Sequence, residues 1–354
     1  MTESYIESTL IKKDSKFEKS LRPENLDSFL GQEEIKKRLT IFVAAAKGRR
    51  EALGHLVFHG PPGLGKTTLA HIIANEMQAK LVTTSGPALE KAGDLAGILT
   101  NLDEGDVLFI DEIHRLNKAV EEYLYKAIED FSLDLMLDSG PNARSVQVGL
   151  NHFTLIGATT RMGLLSSPLR SRFHIDLRLD YYSPDILKDI ILRSAQLLQI
   201  PLNKEAAFMI ASRSRGSPRI ANNLLRWARD YAQIHADNNL SCQATKEALD
   251  LLAIDMLGLD EMDKKILSFI IEHHDGGPVG VSTIAAALGE QPNTLEEVYE
   301  PYLIMQGLLR RTPRGREVTQ GAYEHLGFFK GNSCKSAEDA LKKKKCYEEK
   351  NLFS

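Results

Sequence analysis

One octapeptide of the sequence has the spacing of a phosphate-binding loop. Residues 60–67 read Gly-Pro-Pro-Gly-Leu-Gly-Lys-Thr and fit the pattern G-x-x-x-x-G-K-[ST], after an apolar run and before a helical pattern. Glycines such as Gly63 and Gly65 let backbone N–H groups approach phosphates. Lys66 reaches the β and γ phosphates, and the Thr67 hydroxyl ligates magnesium. A chance glycine turn is the alternative, but the flanking strand and helix favour a site for ATP and Mg²⁺.

An acidic pair follows a second apolar run. Residues 107–110 are Val-Leu-Phe-Ile, and Asp111 and Glu112 come next. Asp111 can hold magnesium through its waters, and Glu112 can orient and polarise an attacking water. Without the loop at 60–67 such a pair would more often be a loop cap or a surface turn. His114 completes the tetrapeptide Asp-Glu-Ile-His, and we interpret it as structural.

Hydroxyl and guanidinium groups further along could sense or stabilise a phosphate. Thr159 and Thr160 end an apolar run, and their hydroxyls would lie beside the γ-phosphate if this strand neighbours the strand that ends in Asp111. We favour Thr160, although Thr is also simply common in strands. Arg170 and Arg172 lie at one end of the sheet, and an arginine there could stabilise charge at a neighbour's γ-phosphate, whereas a lone arginine usually forms a surface salt bridge. Arg219, in Gly-Ser-Pro-Arg, could fold back over the nucleotide.

Alternating strand and helix patterns surround these motifs. The apolar runs of strand length are His55–His59, Leu81–Thr84, Asp106–Ile110, Phe153–Gly157 and Ile175–Leu179. Between the first two runs, Thr67–Met77 carries apolar residues at the spacing of one helix face. The alternation predicts an α/β domain with a parallel sheet over residues 1–182.

The pattern changes at Ser183-Pro184, a pair that can cap and start a helix. Helical spacing without strand runs predicts a small all-helical domain over 183–256. Over 257–327 we expect a C-terminal winged helix, with helices and a hairpin at Asp260–His274, Ser282–Leu288, Thr294–Gln306 and Leu308–Val318. Residues 328–354 are rich in lysine and are expected to form a disordered tail.

Arginines crowd the hairpin of the third unit. They are Arg310, Arg311, Arg314 and Arg316, and Thr312-Pro-Arg-Gly315 has the chemistry of a turn. If these groups contact DNA phosphates, added salt would lower the affinity for DNA by about 0.9 log units per contact for each log unit of salt concentration. Phosphate contacts position a protein without reading the base sequence. A solvated charged face is the alternative, but a glycine-centred tip on a winged helix favours DNA binding.

The length, composition and net charge of the chain limit which folds and partners are possible. The chain has 354 residues, 43% hydrophobic and 26% charged, which fits two or three globular domains. The scattered Cys242, Cys334 and Cys346 argue against a disulfide framework or a zinc site. Residues 1–19 lack the apolar core of a signal peptide and no stretch is long enough to span a bilayer, so we expect a cytoplasmic protein. The net charge of −4 requires that any nucleic-acid contact come from a local patch.

In this order the motifs resemble the AAA+ ATPases, and longer strings resemble the RuvB family within that group. The resemblance extends over about residues 16–327. It rests on Leu21-Arg22-Pro23, Phe29-Leu-Gly-Gln32, the eleven residues from Gly60 to Ala70, Asp111–Leu116, Ile156–Arg161 and Arg310–Arg316.

The resemblance implies further nucleotide contacts. Leu21 and Arg22 would lie against the adenine, and Thr68 would join Thr67 at the loop. Tyr182 and the segment Glu129-Asp130-Phe131 would lie near the nucleotide. Arg172 would be a finger inserted into the neighbouring subunit's site, and Arg219 would be a second sensor.

The resemblance also implies an assembly and a function. It implies a homo-hexameric ring on double-stranded DNA that uses ATP to drive branch migration of Holliday junctions in recombination and repair. The implied partners are a RuvA-type junction-binding protein and a RuvC-type resolvase. A hairpin would dock on the RuvA-type partner, and here it would span residues 133–148, with a turn at Ser139–Asn142 and alternating Val146 and Val148. The alternative is an edge hairpin whose valines pack internally.

Other functions of the same ATP site stay open at this point. An initiator or loader could close on DNA without translocating and would use the same motifs. A small-molecule kinase would need neither Arg172 and Arg219 nor a winged helix. The loop Thr84–Leu89 lacks the aromatic residue that many peptide-threading rings place in their pore, which disfavours peptide unfolding.

Overall fold

A computed structural model of the protein describes residues 20–136 and 145–328. Contacts divide the chain into two compact units, one ending at Gly258 and the other beginning at Leu259. We describe each unit by itself. The predicted boundaries at 182/183 and 256/257 stay predictions. Except for Phe328, the tail 328–354 lies outside the described residues.

The first unit is built on a parallel sheet. Its described strands are β1 (Leu56–His59), β2 (Leu81–Ser85), β3 (Val107–Asp111), β6 (Thr154–Thr159) and β7 (Ile175–Arg178), in the order β2-β3-β6-β1-β7. Each neighbouring pair is parallel, with Phe109 opposite Ile156 and Val57 opposite Gly157. Strand β6 is buried along its whole length. The predicted α/β fold with a parallel sheet is confirmed.

Helices cover the sheet. They are α1 (Glu33–Arg49), α2 (Lys66–Met77), α3 (Ala92–Leu99), α4 (Lys118–Glu129) and α5 (Ser167–Ser171). Helix α2 buries Leu69, Ile72 and Ile73 completely, at the spacing of one helix face. A short 3₁₀ turn, Ile113–Arg115, follows β3.

An antiparallel hairpin precedes β6. Its strands are β4 (Ser132–Met136) and β5 (Ser145–Gly149), with Leu133 opposite Val148. The predicted turn at Ser139–Asn142 lies outside the described residues. Val146 is 43% exposed and Val148 is half-buried. The hairpin therefore presents part of its apolar side chains to solvent.

Four helices of the described chain complete the first unit. They are α6 (Pro184–Leu197), α7 (Lys204–Ser212), α8 (Pro218–His235) and α9 (Cys242–Leu251). As predicted, Ser183 caps α6, because its hydroxyl accepts a hydrogen bond from the Ile186 amide at 3.4 Å. Apolar faces of α6 to α8, including Leu187, Ile210 and Leu224, are fully buried. We call residues 183–258 the lid.

The second unit has the winged-helix outline. Its helices are α10 (Glu261–His274), α11 (Val281–Leu288), α12 (Pro292–Thr294), α13 (Glu300–Met305) and α14 (Gln320–Leu326), with a π-helical turn at Leu295–Tyr299. Strands β8 (Leu309–Thr312) and β9 (Gly315–Val318) form a hairpin that we call the wing. Among the residues described, no helix is long and apolar enough to cross a membrane.

Candidate functional site

The phosphate loop connects β1 to α2, and its shape requires glycine. Gly60 has φ +139°, and a Cβ at this position would lie 2.3 Å from the Leu179 carbonyl oxygen. Gly65 has φ +104° at the start of α2 and lies against the Phe29 ring. Side chains at these positions would meet neighbouring groups and strain the backbone. The loop therefore holds its backbone N–H groups in a fixed arrangement.

Lys66 is the buried cation of this loop. It is 7% exposed, and its Nζ donates hydrogen bonds to the carbonyl oxygens of Gly60 and Pro61, each at 2.9 Å. Burial lowers the pKa of Lys66, while the charges of Asp111 and Glu112 oppose this shift. An ammonium group held by carbonyl oxygens can exchange them for phosphate oxygens without a large movement.

The start of α2 offers a second element for an anion. No side chain caps this helix, and its first turn carries no acidic residue. The N–H groups of a first turn lack partners within the helix and attract negative charge. Thr67 and Thr68 lie in this turn, directly after Lys66, so the predicted phosphate contacts are grouped together.

The two acids lie at the carboxyl end of β3. Asp111 is the last residue of the strand, and its Oδ1 accepts a hydrogen bond from the Glu112 amide at 3.0 Å. Burial raises the pKa of Asp111, and the charge of Glu112 adds to this, while Lys66 and Arg219 act in the opposite direction. These charges therefore lie close enough to influence one another. Glu112 has φ +48°, in the left-handed region.

The neighbouring strand brings both threonines to this point. Strand β6 pairs with β3, which is the arrangement that the sensing role required. Thr160 donates a hydrogen bond from Oγ1 to Oε2 of Glu112 at 3.2 Å, while Thr159 is buried with its Oγ1 2.8 Å from Nδ1 of His114. The hydroxyl of Thr160 thus faces the acidic pair directly. The choice of Thr160 as sensor stays a prediction.

The lid contacts the phosphate loop at Gly63. The Ser217 hydroxyl donates to the Gly63 carbonyl at 3.3 Å, and the Arg219 amide contacts the same oxygen at 3.4 Å. Gly63 has φ +76°, and a Cβ there would lie 2.6 Å from Ser217 Oγ. The start of α8 is therefore in direct contact with the loop, with Arg219 in its first turn.

The segment between sheet and lid is clamped to the same loop. The Tyr182 hydroxyl donates to the Leu64 carbonyl at 3.2 Å, and the Tyr182 amide donates to the Gly216 carbonyl at 2.9 Å. Burial raises the pKa of Tyr182, so it stays a neutral donor. The side-chain Nε2 of Gln32 donates a hydrogen bond to the Asp180 carbonyl at 2.6 Å. Tyr182 thus joins loop and lid.

The predicted adenine contacts lie at the start of the described chain. Leu21 is 5% exposed, and its carbonyl accepts a hydrogen bond from Arg193 of α6 at 3.1 Å. Arg22 follows directly and is half-buried. The lid therefore holds this segment in place.

Arg172 and the segment from Glu129 to Phe131 lie at the other edge of the sheet. The phosphate loop follows the carboxyl end of β1. His55 lies directly before the amino end of β1, and the Phe131 ring lies 6.0 Å from the His55 ring. Arg172 precedes β7, which runs parallel to β1, and it pairs with Glu129 at 2.6 Å. Strands rise by about 3.3 Å per residue, so these groups are separated from the loop by the length of a strand. Arg172, Glu129 and Phe131 therefore lie at the end of the strands opposite the phosphate loop of their own chain, and the predicted contacts of Arg172, Glu129, Asp130 and Phe131 with a nucleotide stay predictions.

The structure separates the four wing arginines into two kinds. Arg310 has a side chain that is 67% exposed, and Arg314 is exposed at the hairpin tip. Arg316 is only 9% exposed, and its Nε donates to Oε1 of the buried Glu300 at 2.7 Å. Arg311 is half-exposed and pairs with the same glutamate. The Arg316 guanidinium is thus occupied inside the unit, and the expectation that all four arginines contact phosphate stays a prediction.

Sequence reasoning gave no role to Ser217 or Gln32, and it treated His114 as structural. Ser217 and Gln32 both lie in strings that carried the resemblance, Gly-Ser-Pro-Arg and Phe-Leu-Gly-Gln. The only signal was this adjacency to assigned residues. Their partners are Gly63 and Asp180, which are 154 and 148 residues away along the chain. Contacts at such separations leave no local pattern.

Three family models match the chain in succession. They are the Holliday junction DNA helicase RuvB P-loop domain over residues 21–179, the RuvB AAA lid domain over 182–255 and the RuvB C-terminal winged helix domain over 256–327. These matches agree with the predicted order of an AAA+ domain with a parallel sheet, a helical domain and a winged helix.

Individual proteins are similar over nearly the whole chain. The Holliday junction branch migration complex subunit RuvB of Protochlamydia amoebophila is 62% identical over 92% of this chain and 98% of its own. The subunit of the same name from Flavobacterium johnsoniae is 60% identical over 89% of this chain and 93% of its own. A solved structure of the Thermotoga maritima RuvB Holliday junction branch migration motor has a TM-score of 0.79, with 54% identity over 88% of this chain and 99% of that one.

None of these relatives is an initiator or a loader, so that alternative finds no support. The family models, the relatives and the fold agree with one another and with the motifs of the phosphate loop. This chain belongs to the RuvB family of AAA+ ATPases.

Proposed function

We propose that this chain is an ATP-driven motor that promotes branch migration of Holliday junctions. One observation supports this most strongly: loop, acids, sensing hydroxyl and lid meet around Gly63 and Glu112, while Arg172 lies at the opposite sheet edge. Each subunit would lack an arginine finger at its own phosphate loop and would offer its Arg172 to the next subunit. This arrangement is suited to a ring. In a ring, hydrolysis in one subunit depends on its neighbour.

Nucleotide binding is assigned to the loop and the groups clamped to it. Gly63, Gly65, Thr67 and Thr68 would offer backbone N–H groups to the phosphates, with the buried Lys66 as their cation. Leu21, Arg22 and Tyr182 would enclose the base and its surroundings. The direct contacts of Ser217 and Arg219 with the loop support a nucleotide that is ordered by both the loop and the lid.

A magnesium ion fits the oxygen groups at this point. Thr67 offers a hydroxyl and Asp111 a carboxylate, and Mg²⁺ is typically held by one or two such protein groups together with phosphate oxygens and water. When bound, the ion would neutralise charge on the β and γ phosphates. The proximity of Lys66 and Arg219 helps to keep Asp111 ionised despite its burial.

Hydrolysis is assigned to Glu112 with three assisting groups. Glu112 orients a water molecule and accepts its proton as the water oxygen bonds to the γ-phosphorus. The bond to the β,γ-bridging oxygen breaks, and its electron pair leaves with ADP. Thr160 positions the carboxylate, while Arg219 and the neighbour's Arg172 stabilise the charge on the γ-phosphoryl group.

Assembly and DNA contact follow from the same proposal. We propose a homo-hexameric ring on double-stranded DNA, in which Arg310 and Arg314 of each wing contact phosphates. The half-exposed valines of the β4–β5 hairpin are proposed to dock on a RuvA-type junction-binding protein, with a RuvC-type resolvase acting on the same junction. Because such a motor acts on cellular DNA, we propose a cytoplasmic location.

A strand-exchange assay on a synthetic four-way junction tests the function. The full chain with a RuvA-type protein should convert the junction to duplex products when ATP and Mg²⁺ are present. Lys66→Ala, which removes the buried cation of the loop, should abolish the conversion. A chain that binds the junction and hydrolyses ATP but never converts it would contradict the proposal and would instead indicate a switch.

A further inference from the structure

His114 lies at the centre of a polar cluster that neither the phosphate loop nor the lid supplies. Its side chain is 7% exposed, in the 3₁₀ turn after β3. Its Nδ1 lies 2.8 Å from Oγ1 of Thr159 and 3.2 Å from Oε2 of Glu112. Oε2 of Glu112 also accepts the hydrogen bond from Thr160. One carboxylate oxygen is therefore in contact with both Thr160 and His114.

The two neighbours of Nδ1 favour a His114 ring that carries a hydrogen on this nitrogen. An ionised carboxylate can only accept hydrogen bonds, so a ring nitrogen 3.2 Å from Oε2 of Glu112 must carry a hydrogen in order to contribute attraction. A hydrogen on Nδ1 of His114 would lie between the Thr159 hydroxyl at 2.8 Å and the Glu112 carboxylate at 3.2 Å. Thr159 Oγ1 in turn accepts a hydrogen bond from the Arg161 amide at 2.9 Å. The end of β6 therefore anchors the ring.

The backbone of Glu112 is fixed as well. It adopts φ +48°, a left-handed conformation that is strained for a non-glycine residue and persists only where its surroundings enforce it. Its carbonyl accepts a hydrogen bond from the Arg115 amide at 2.9 Å and lies against Gly86, where a Cβ would be only 2.4 Å away. With the backbone held, the remaining freedom of Glu112 is that of its side chain. Thr160 and His114 limit that freedom.

His55 shows how a structural histidine is held in the same unit. Its Nδ1 accepts a hydrogen bond from the Leu155 amide at 2.9 Å, and its Nε2 lies 3.1 Å from the Ile128 carbonyl oxygen. Both of its nitrogens are satisfied by the backbone. His114 differs because its Nδ1 faces the side chain to which water activation is assigned.

We propose that His114 is a positioning residue that, anchored on Thr159, holds Oε2 of Glu112 so that Oε1 faces the attacking water. The inference rests on the ATP hydrolysis proposed above. It assigns His114 no contact with the nucleotide. Loss of the ring should therefore slow turnover and leave nucleotide binding unchanged.

Steady-state ATP hydrolysis by the full chain, with duplex DNA and a RuvA-type protein, tests this. His114→Ala should lower kcat by about 10- to 100-fold, since misplacement of a reacting group by about 1 Å can cost roughly 100-fold. KM for ATP and affinity for a fluorescent ATP analogue should stay within about 2-fold of the wild type. His114→Asn, whose side-chain amide can approach the place of Nδ1, should recover most of the lost kcat.

A second variant keeps the proposal falsifiable if His114→Ala does not fold. Thr159→Val removes the hydroxyl anchor and keeps the shape, so it should lower kcat in the same selective way. The effects of the two variants should not add when combined, because both remove one network. Unchanged kcat in either folded variant, raised kcat, an equal loss of nucleotide affinity, or no recovery in His114→Asn would each overturn the positioning role. A wild-type chain without ATP turnover would instead overturn the proposed function itself.

Discussion

Nε and Nη2 of Arg172 both donate to one oxygen of Glu129, at 3.1 and 2.6 Å. Its Nη1 donates to the Pro168 carbonyl at 2.7 Å, and the guanidinium lies 4.8 Å from the centre of the Tyr125 ring. The arginine is thus held in one orientation by its own subunit, at the sheet edge away from its own phosphate loop. This preorganisation suits a group that completes the site of a neighbour.

Replacement of Arg172 should abolish turnover while nucleotide still binds. An arginine supplied to a transferring phosphoryl group contributes roughly 1,000-fold or more, so Arg172→Ala should lower kcat by about that factor. Arg172→Lys should also be poor, because lysine lacks the planar fork. The measurement is ATPase activity of rings mixed from Arg172→Ala and Lys66→Ala subunits. The Arg172→Ala subunit keeps an intact phosphate loop, and the Lys66→Ala subunit keeps the arginine. Mixed rings should therefore regain activity, and failure to do so would contradict an arginine that acts between subunits.

Glu129→Gln should separate the orientation of the arginine from its presence. The guanidinium remains but loses its charged partner, so kcat should fall by about 10-fold, well short of the Arg172→Ala effect. The folded chain should lose less than about 1 kcal/mol, because Glu129 is 58% exposed. Glu51→Gln breaks another exposed pair, with Arg49, and is the matched control. Equal effects of the two glutamine variants on kcat would argue against the orienting role.

A methyl group at Gly63 should weaken ATP binding by displacing the lid. Gly63→Ala would set a Cβ 2.6 Å from the Ser217 hydroxyl, which must rotate and give up its bond to the Gly63 carbonyl. Gly105→Ala is the control, because it has a similar φ of +84° but open space around a Cβ. Both variants carry a left-handed alanine at a cost of about 1 kcal/mol. Equilibrium binding of an ATP analogue should be at least about 10-fold weaker for Gly63→Ala alone; equal affinities would count against the lid contact.

Two wing arginines should differ when each is replaced by alanine. Arg314→Ala should change the stability by less than about 0.5 kcal/mol and lower the salt slope of duplex binding by about 0.9. Arg316→Ala should destabilise the folded chain by about 3 kcal/mol, because it removes a partner of Glu300, which is 3% exposed. Denaturant unfolding and DNA titrations over a range of salt measure both. A stable Arg316→Ala chain with a reduced salt slope would show that this guanidinium reaches DNA after all.

His55 should make the first unit sensitive to mild acid. Burial lowers the pKa of His55 from 6.5 to about 4, because the ring must stay neutral among backbone partners. In the unfolded chain it binds a proton near pH 6.5, so its stabilising contribution is complete above that pH and is lost as the pH falls toward 4. Between about pH 7.5 and pH 5 the loss should be about 2 kcal/mol.

Denaturant unfolding over that pH range measures the His55 effect. His55→Asn keeps an acceptor for the Leu155 amide but cannot titrate, so its stability should be lower at neutral pH and fall less steeply with acid. His152→Asn, at an exposed position, should keep the wild-type pH dependence. A His55→Asn profile parallel to that of the wild type would contradict the buried neutral ring.

Local patterns in the sequence were enough for the fold class and the nucleotide loop. Buried parallel strands appear as continuous apolar runs, so the five strand predictions agree with the observed strands to within one or two residues at each end. The loop at Gly60–Thr67 is contiguous, and its glycines are required by backbone geometry that neighbouring residues impose. The strand runs and the loop each depend on short-range chemistry, which the order of residues alone carries.

Only the tertiary structure decided how the dispersed groups meet. Arg172 pairs with Glu129 across 43 positions, and His114 meets Thr159 across 45, because strand order places those ends together. The burial of Arg316 against Glu300 was equally invisible, since a charge pattern in a hairpin does not reveal which side faces the helices. Such contacts depend on which elements pack together in space. The residue types therefore indicate which chemistry is possible, and the packing decides which side chains take part in it.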